Sequence, residues 1–215
     1  MIGAITIGGA YRLPGHAYAL VAGITVLIVA WAGPLPALSA RLFSAHMALH
    51  IVLVAIAAPL LALGLRPYVR GRAARVIAAP ILAAVLEFVV MWGWHLPAPH
   101  AAARAGGLAL VAEQGSFLLA GMLVWSAAFA GGRDGLAAGA GGLLLTSMHL
   151  TLLGALLTLS PRPLYAECGG LFGLSPLEDQ APGCTIMLAV GTPAYLIGGV
   201  ALIGCLLTTR GENAR

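Results

Sequence analysis

Six histidines are unevenly spaced along a chain that is otherwise strongly apolar. His46 and His50 stand four residues apart, so on a helix their imidazoles share one face. Glu87, Met91 and His95 also follow one another at spacings of four, which makes a polar stripe along a second helix. His149 lies inside a further apolar run, beside Ser147 and Met148. Imidazole binds copper and zinc, and thioether sulfur favours Cu(I). His46, His50 and His149, assisted by His95 and Met91, are therefore candidate ligands of a single metal ion. A His-x-x-x-His pair supplies two ligands from one helix, and a facing helix can supply the third. The plain alternative is that each histidine hydrogen-bonds a neighbouring helix, and the residues alone leave both readings open. Glu87 reads in three ways: a proton-linked group, a carboxylate partner for a histidine, or a protonated acid bonded to a helix. Glu113, Gln114, Asp179 and Gln180 sit near the edges of apolar runs and are candidates to support the ligands or to contact a partner.

Other chemistries find little support. The glycine runs at Gly131-Gly132 and Gly139-Ala140-Gly141-Gly142 lack a following Lys-Ser/Thr and a strand, so they form no phosphate loop. Ser160 and His149 make no triad without a placed acid. No Cys-x-x-Cys-His sequence occurs, which excludes covalently attached c-type haem.

The elements that must position these residues follow from composition. Of 215 residues, 60% are hydrophobic and only 8% charged, with a mean hydropathy of +0.98. A soluble domain carries roughly 25% charged residues, so this chain lacks the polar atoms to coat a water-facing surface. Gly (29) and Pro (13) are frequent, which membrane helices accept because neighbours re-satisfy the backbone groups they free. The expected fold is all-α: one polytopic bundle, residues 1–215, of about six transmembrane helices. Apolar stretches long enough to span run over 16–33, 44–64, 76–96, 107–130, 136–160 and 183–207. The longest stretch without a span, 161–182, contains Pro161, Pro163, Glu167, Cys168, Glu178 and Asp179.

All 11 basic residues are arginines. The net charge of +4 does not point to nucleic acid, because Arg66, Arg70, Arg72 and Arg75 cluster between two apolar runs, as topology signals do. With both termini in the cytoplasm, that side collects Arg12, Arg66, Arg70, Arg72, Arg75, Arg133, Arg210 and Arg215. The outer side keeps Arg41, Arg104 and Arg162. His46, His50, His95, Glu113 and Asp179 then belong to the outer half, while His16 lies on the inner side. Cys168 and Cys184 fall outside as well, where they can pair or remain unrelated thiols. The start of the chain shows no signal-peptide pattern, and its first apolar run is expected to stay as a membrane segment.

On these residues the chain resembles the integral-membrane CtaG family of cytochrome c oxidase assembly factors, associated with the caa-type oxidase. The resemblance is carried by Ser44-Ala45-His46-Met47-Ala48-Leu49-His50, Ala58-Pro59-Leu60-Leu61 with Gly64, and Trp94-His95-Leu96-Pro97. It continues through Ser116-Phe117-Leu118-Leu119-Ala120-Gly121 and through His149 with Gly154-Ala155-Leu156-Leu157-Thr158. Ser160-Pro161-Arg162-Pro163-Leu164-Tyr165 follows, and the match closes with Gly173-Leu174-Ser175-Pro176-Leu177-Glu178-Asp179-Gln180 and Met187. It spans about residues 35–205 in the family's order, and the last two motifs are the specific ones. The family's histidines map to His46, His50, His95 and His149, and its acid–amide pair to Asp179 and Gln180. Three departures stand out. Family members carry an extra N-terminal span, and many have Glu-His where this chain has Glu113-Gln114. Glu87 and His100 are not part of the pattern.

The resemblance implies a non-enzymatic factor of a bacterial cytoplasmic membrane, working among lipid and haem–copper oxidase subunits and handling copper at the outer face. Two other readings stay open. One is an accessory structural subunit of a respiratory complex, whose histidines only bond between helices. The other is a haem b-binding membrane protein, with haem held by a pair such as His50 and His149. Self-association into a homo-oligomer is likewise open.

Overall fold

A computed structural model describes residues 15–68, 79–130, 132–165 and 171–213, except the side chains of 132–134 and 209–213. Arg12, Arg70, Arg72, Arg75, Arg215, Glu167 and Cys168 lie outside the described residues, so the Cys168–Cys184 pairing does too. Cys184 itself is buried and has no disulfide partner among the described residues.

Proline and glycine punctuate runs of Ala, Leu and Val into helices. Helix α1 (Gly15–Ala32) stops at Gly33-Pro34, and the short α2 (Leu35–Ser39) follows. α3 (Phe43–Ile51) passes through a π-helical turn (Val52–Ala57) into α4 (Ala58–Leu65). α5 (Pro80–Trp94) ends just before Leu96, whose extended backbone is the conformation a residue preceding proline prefers. α6 (Pro97–Arg104) then leaves at 73°. α7 (Gly107–Ala130) and α8 (Gly132–Thr158) are long and continuous. α9 (Pro176–Ile186) runs through a second π-helical turn (Met187–Gly191) into α10 (Thr192–Asn213).

Among the described residues, five helices are long and apolar enough to cross a membrane, or six if the bent α5–α6 pair is counted as one span. The bundle is an all-α membrane fold. α8 packs against α5, α7 and α10, α4 packs against α1 and α7, and α3 packs against α9. Side chains such as Val29, Val111, Leu119, Leu152 and Ile197 point outward, as lipid requires. Polar His46, His50, Glu87, Glu113 and Asp179 are fully buried.

Both π-helical turns have the same cause. Pro59 and Pro193 lack an N–H and their rings crowd the carbonyl four residues earlier, so the preceding turn widens. The Ala58 N–H therefore reaches back five residues to the Leu53 carbonyl, and the Thr192 N–H to the Met187 carbonyl. The first widened turn leaves the Val54 carbonyl available, and it accepts from Trp125 Nε1 (3.0 Å), with the Tyr195 hydroxyl oxygen 3.2 Å away.

One expectation needs correction: against a sixth span over 183–207 with Asp179 and Gln180 ahead of it, the helix begins at Pro176 and carries both residues in its first turns. A capping box starts it there: the Ser175 hydroxyl accepts from the Glu178 N–H, and the Glu178 carboxylate accepts from the Ser175 N–H at 2.8 Å. Arg104, at the end of α6, is buried. Its burial follows from an internal carboxylate partner, described next.

Candidate metal centre

One end of the bundle gathers the N-terminal turns of α3, α7 and α9 and the C-terminal end of α5. His46 and His50 lie one turn apart on α3, fully buried, with ring centroids 5.4 Å from each other. His95, immediately after α5, completes a triangle, with its ring 5.9 Å from His46 and 5.4 Å from His50. One ligand nitrogen from each of the three lies within 4.8 Å of the other two. Bonds of about 2.0 Å to a shared ion would bring these nitrogens to about 3.5 Å from one another. Side-chain adjustments of about 1 Å reach that geometry. Phe117, with its ring 5.1 Å from His50 and 6.2 Å from His95, packs against the group.

The hydrogen bonds of these rings are informative. His95 Nδ1 lies 2.6 Å from the Met91 carbonyl oxygen. A carbonyl only accepts, so Nδ1 carries the proton and Nε2 presents a lone pair. This is the arrangement that orients a metal-binding imidazole. His95 Nε2 and both nitrogens of His46 and of His50 have no hydrogen-bond partner among the described residues. A buried polar atom left unpaired costs about 1–3 kcal/mol. A single ion accepting one lone pair from each ring would satisfy three of these five nitrogens at once. The donor set therefore fits a small metal ion.

A second group of ligand atoms within 4.8 Å of one another comprises His46, His100 and Glu113. His100, on α6, meets the His46 ring edge-on at 4.9 Å and lies 4.1 Å from the Tyr165 ring. Glu113 Oε2 approaches His46 Nδ1 to 3.8 Å. The same oxygen is ion-paired with Arg104 and accepts from Gln114 Nε2 at 2.9 Å. Arg104 Nη1 also donates to the Ser39 carbonyl at 2.7 Å. The turn that brings α6 back onto α7 uses Gly106 and Gly107, with φ of 86° and 66°. Two successive residues in the left-handed region would strain any side chain with a Cβ, and this reversal is what sets Arg104 opposite Glu113.

Asp179 explains why α3 stands where it does. Its carboxylate accepts from the Phe43 N–H (2.5 Å), the Ser44 N–H (3.3 Å) and the Ser44 hydroxyl (2.5 Å). Leu42, the cap position of α3, has no side chain able to cap it. Asp179 therefore supplies the missing cap from α9 and places negative charge at the positive end of the helix. The close approach needs Gly183, because a Cβ there would meet the Phe43 ring at 2.6 Å. Gln180 ties the neighbouring connection: Oε1 accepts from the Leu164 N–H (3.0 Å) and Nε2 donates to the Leu157 carbonyl (2.9 Å). Tyr165 OH donates to the His95 carbonyl (2.7 Å), so this connection also braces His95.

The remaining candidates lie apart. His149 belongs to neither three-ligand group, and its ring packs edge-on against Phe88 at 5.4 Å. Met91 is fully buried in the apolar core, one turn before His95. Glu87 is fully buried deeper on α5 and accepts from Tyr195 OH at 2.6 Å. His100 and Arg104 were missed as site residues. The available signal was their placement on a short Pro-Ala-Pro-initiated helix directly after His95, with Gly106-Gly107 forcing an immediate return to Glu113.

Fold and site together define a multi-pass membrane helical bundle with a buried, imidazole-lined centre near one end. Residues 8–208 match the family model for the cytochrome c oxidase caa3 assembly factor (Caa3_CtaG), and the chain belongs to that family. Comparison with curated proteins and with solved structures returned no match.

Proposed function

We propose that this protein serves assembly of a caa3-type cytochrome c oxidase by holding copper transiently, as Cu(I), on His46, His50 and His95, and that it is not an enzyme. The observation that carries this reading is the convergence of three buried imidazoles whose ring nitrogens lack hydrogen-bond partners among the described residues. Histidines serving only to join helices would spend those nitrogens on hydrogen bonds.

Charge supports the monovalent ion. The three imidazoles are neutral ligands, and the nearby Glu113 is already claimed by Arg104. The cost of burying an ion rises with the square of its charge, so an uncompensated site of this kind suits Cu(I) better than a divalent ion. Imidazole is also a good copper ligand. The ring spacings favour a small ion over haem, since a macrocycle needs free space between two axial imidazoles. Here the rings of His46, His50 and His95 lie directly against one another. The arginine distribution in the sequence supports placing this end of the bundle on the extracytoplasmic side of the bacterial membrane.

The test is anaerobic Cu(I) loading of the purified protein, followed by removal of weakly held metal and analysis of metal content. About one copper per chain is expected, with affinity falling at least about tenfold in each of His46→Ala, His50→Ala and His95→Ala. Wild-type protein that keeps no more copper than the triple variant would overturn the proposal.

A further inference from the structure

We infer that the site has two overlapping stations for one ion, with His46, His100 and Glu113 forming a shallower hand-over position next to the His46, His50 and His95 position. This rests on the copper reading above. The two sets share His46, and within each set the ligand atoms lie within 4.8 Å of one another. His46 has two ring nitrogens, both buried and without a hydrogen-bond partner among the described residues. Glu113 is fully buried and has one oxygen, Oε2, committed to Arg104 and Gln114, while Oε1 has no hydrogen-bond partner among the described residues.

The order of the stations follows from helix geometry. His50 lies one turn further along α3 than His46, and Phe117, which packs against His50, lies one turn further along α7 than Glu113. Glu113 and His46 are therefore level with each other and nearer the bundle end than His50. His100, on α6 at the bundle end, joins the deeper set of ligands only through the His46 ring, since the second ligand group contains neither His50 nor His95. An ion moving from His50 and His95 toward His100 and Glu113 keeps His46 as a common ligand. It is never left without a partner in the apolar interior, where an unpaired charge is costly.

Arg104 grades the two stations. At the shallow one, the Glu113 carboxylate supplies a negative ligand; its Oε2 lies 3.8 Å from His46 Nδ1 and is also ion-paired with Arg104, so the guanidinium offsets the carboxylate charge and repels the cation. The shallow station holds the ion less firmly than the three imidazoles and acts as the point of release. A neutral imidazole has one lone-pair nitrogen, so the ion keeps the same His46 nitrogen at both stations and exchanges its other ligands with no proton transfer and no change of oxidation state.

The experiment measures release of Cu(I) from the loaded, full-length protein to an excess of a chromophoric chelator by stopped flow. His100→Phe keeps a ring against Phe43 and Tyr165 but removes both nitrogens. Should that variant fold poorly, His100→Gln keeps polarity while being a much weaker copper ligand. Release is expected to slow about tenfold in either variant, because the ion must leave from the deep station directly. Damage to the fold would act in the opposite direction and speed release. Wild-type rates in the His100 variants, or faster ones, would overturn the two-station inference and leave the copper reading standing. A wild-type protein that retains no copper would overturn both.

Discussion

Replacing Asp179 with Asn tests how the centre is positioned. Asp179 is fully buried and accepts from two backbone N–H groups and one hydroxyl at the start of α3. The substitution keeps the shape but turns one acceptor into an amide donor facing other donors, and it removes the negative charge at the helix terminus. Asn caps a helix about as well as Asp, so the cost is that of leaving a buried donor unpaired, about 1–3 kcal/mol, centred on about 2 kcal/mol. At roughly 2–4 °C per kcal/mol for a chain of this length, the Tm in detergent should fall by about 4–8 °C, read by near-UV circular dichroism. Ser44→Ala removes only the hydroxyl contact and should cost about 1 kcal/mol. Because His46 is the fourth residue of α3, Cu(I) retention should weaken along the same ranking. An Asp179→Asn protein with an unchanged Tm and unchanged copper retention would refute the view that α9 holds α3 in place.

Further outcomes are expected. Arg104→Ala strands Glu113 as a buried unpaired charge and should cost about 3–5 kcal/mol, seen as a large loss of folded yield; adding Glu113→Gln to it should restore part of that yield. His149→Ala should leave Cu(I) affinity at the wild-type value while His95→Ala lowers it, a contrast that competition titration reads directly. Tyr195→Phe removes the hydroxyl that donates to Glu87 and should lower the Tm by the equivalent of about 1–3 kcal/mol, with copper retention unaffected.

The membrane bundle was legible because its cause is compositional: long apolar runs with few charges permit little else. The His46–His50 pair was legible for a similar reason, since a spacing of four fixes two residues on one helix face. Which further histidine joins that pair is harder to read: His149 and His95 both lie in apolar runs, and nothing in local spacing says which facing helix comes closest. The decision lies in the break at Leu96-Pro97, which ends α5 at the level of His46 and turns α6 across the bundle end. The same break brings in His100 and Arg104, whose long-range partners carry no local periodicity. The early start of the sixth span was within reach, because Ser175-Pro176-Leu177-Glu178 is a capping box by residue type. The low hydropathy of its first turns hid it.

X-ray absorption on the Cu(I)-loaded protein reads out whether His46, His50 and His95 together bind one copper ion. The expected spectrum has about three nitrogen scatterers near 2.0 Å with the outer-shell pattern of imidazole, and it loses that pattern in the triple His→Ala variant. A shell dominated by sulfur near 2.3 Å, or a spectrum unchanged by removing the three histidines, would contradict such binding.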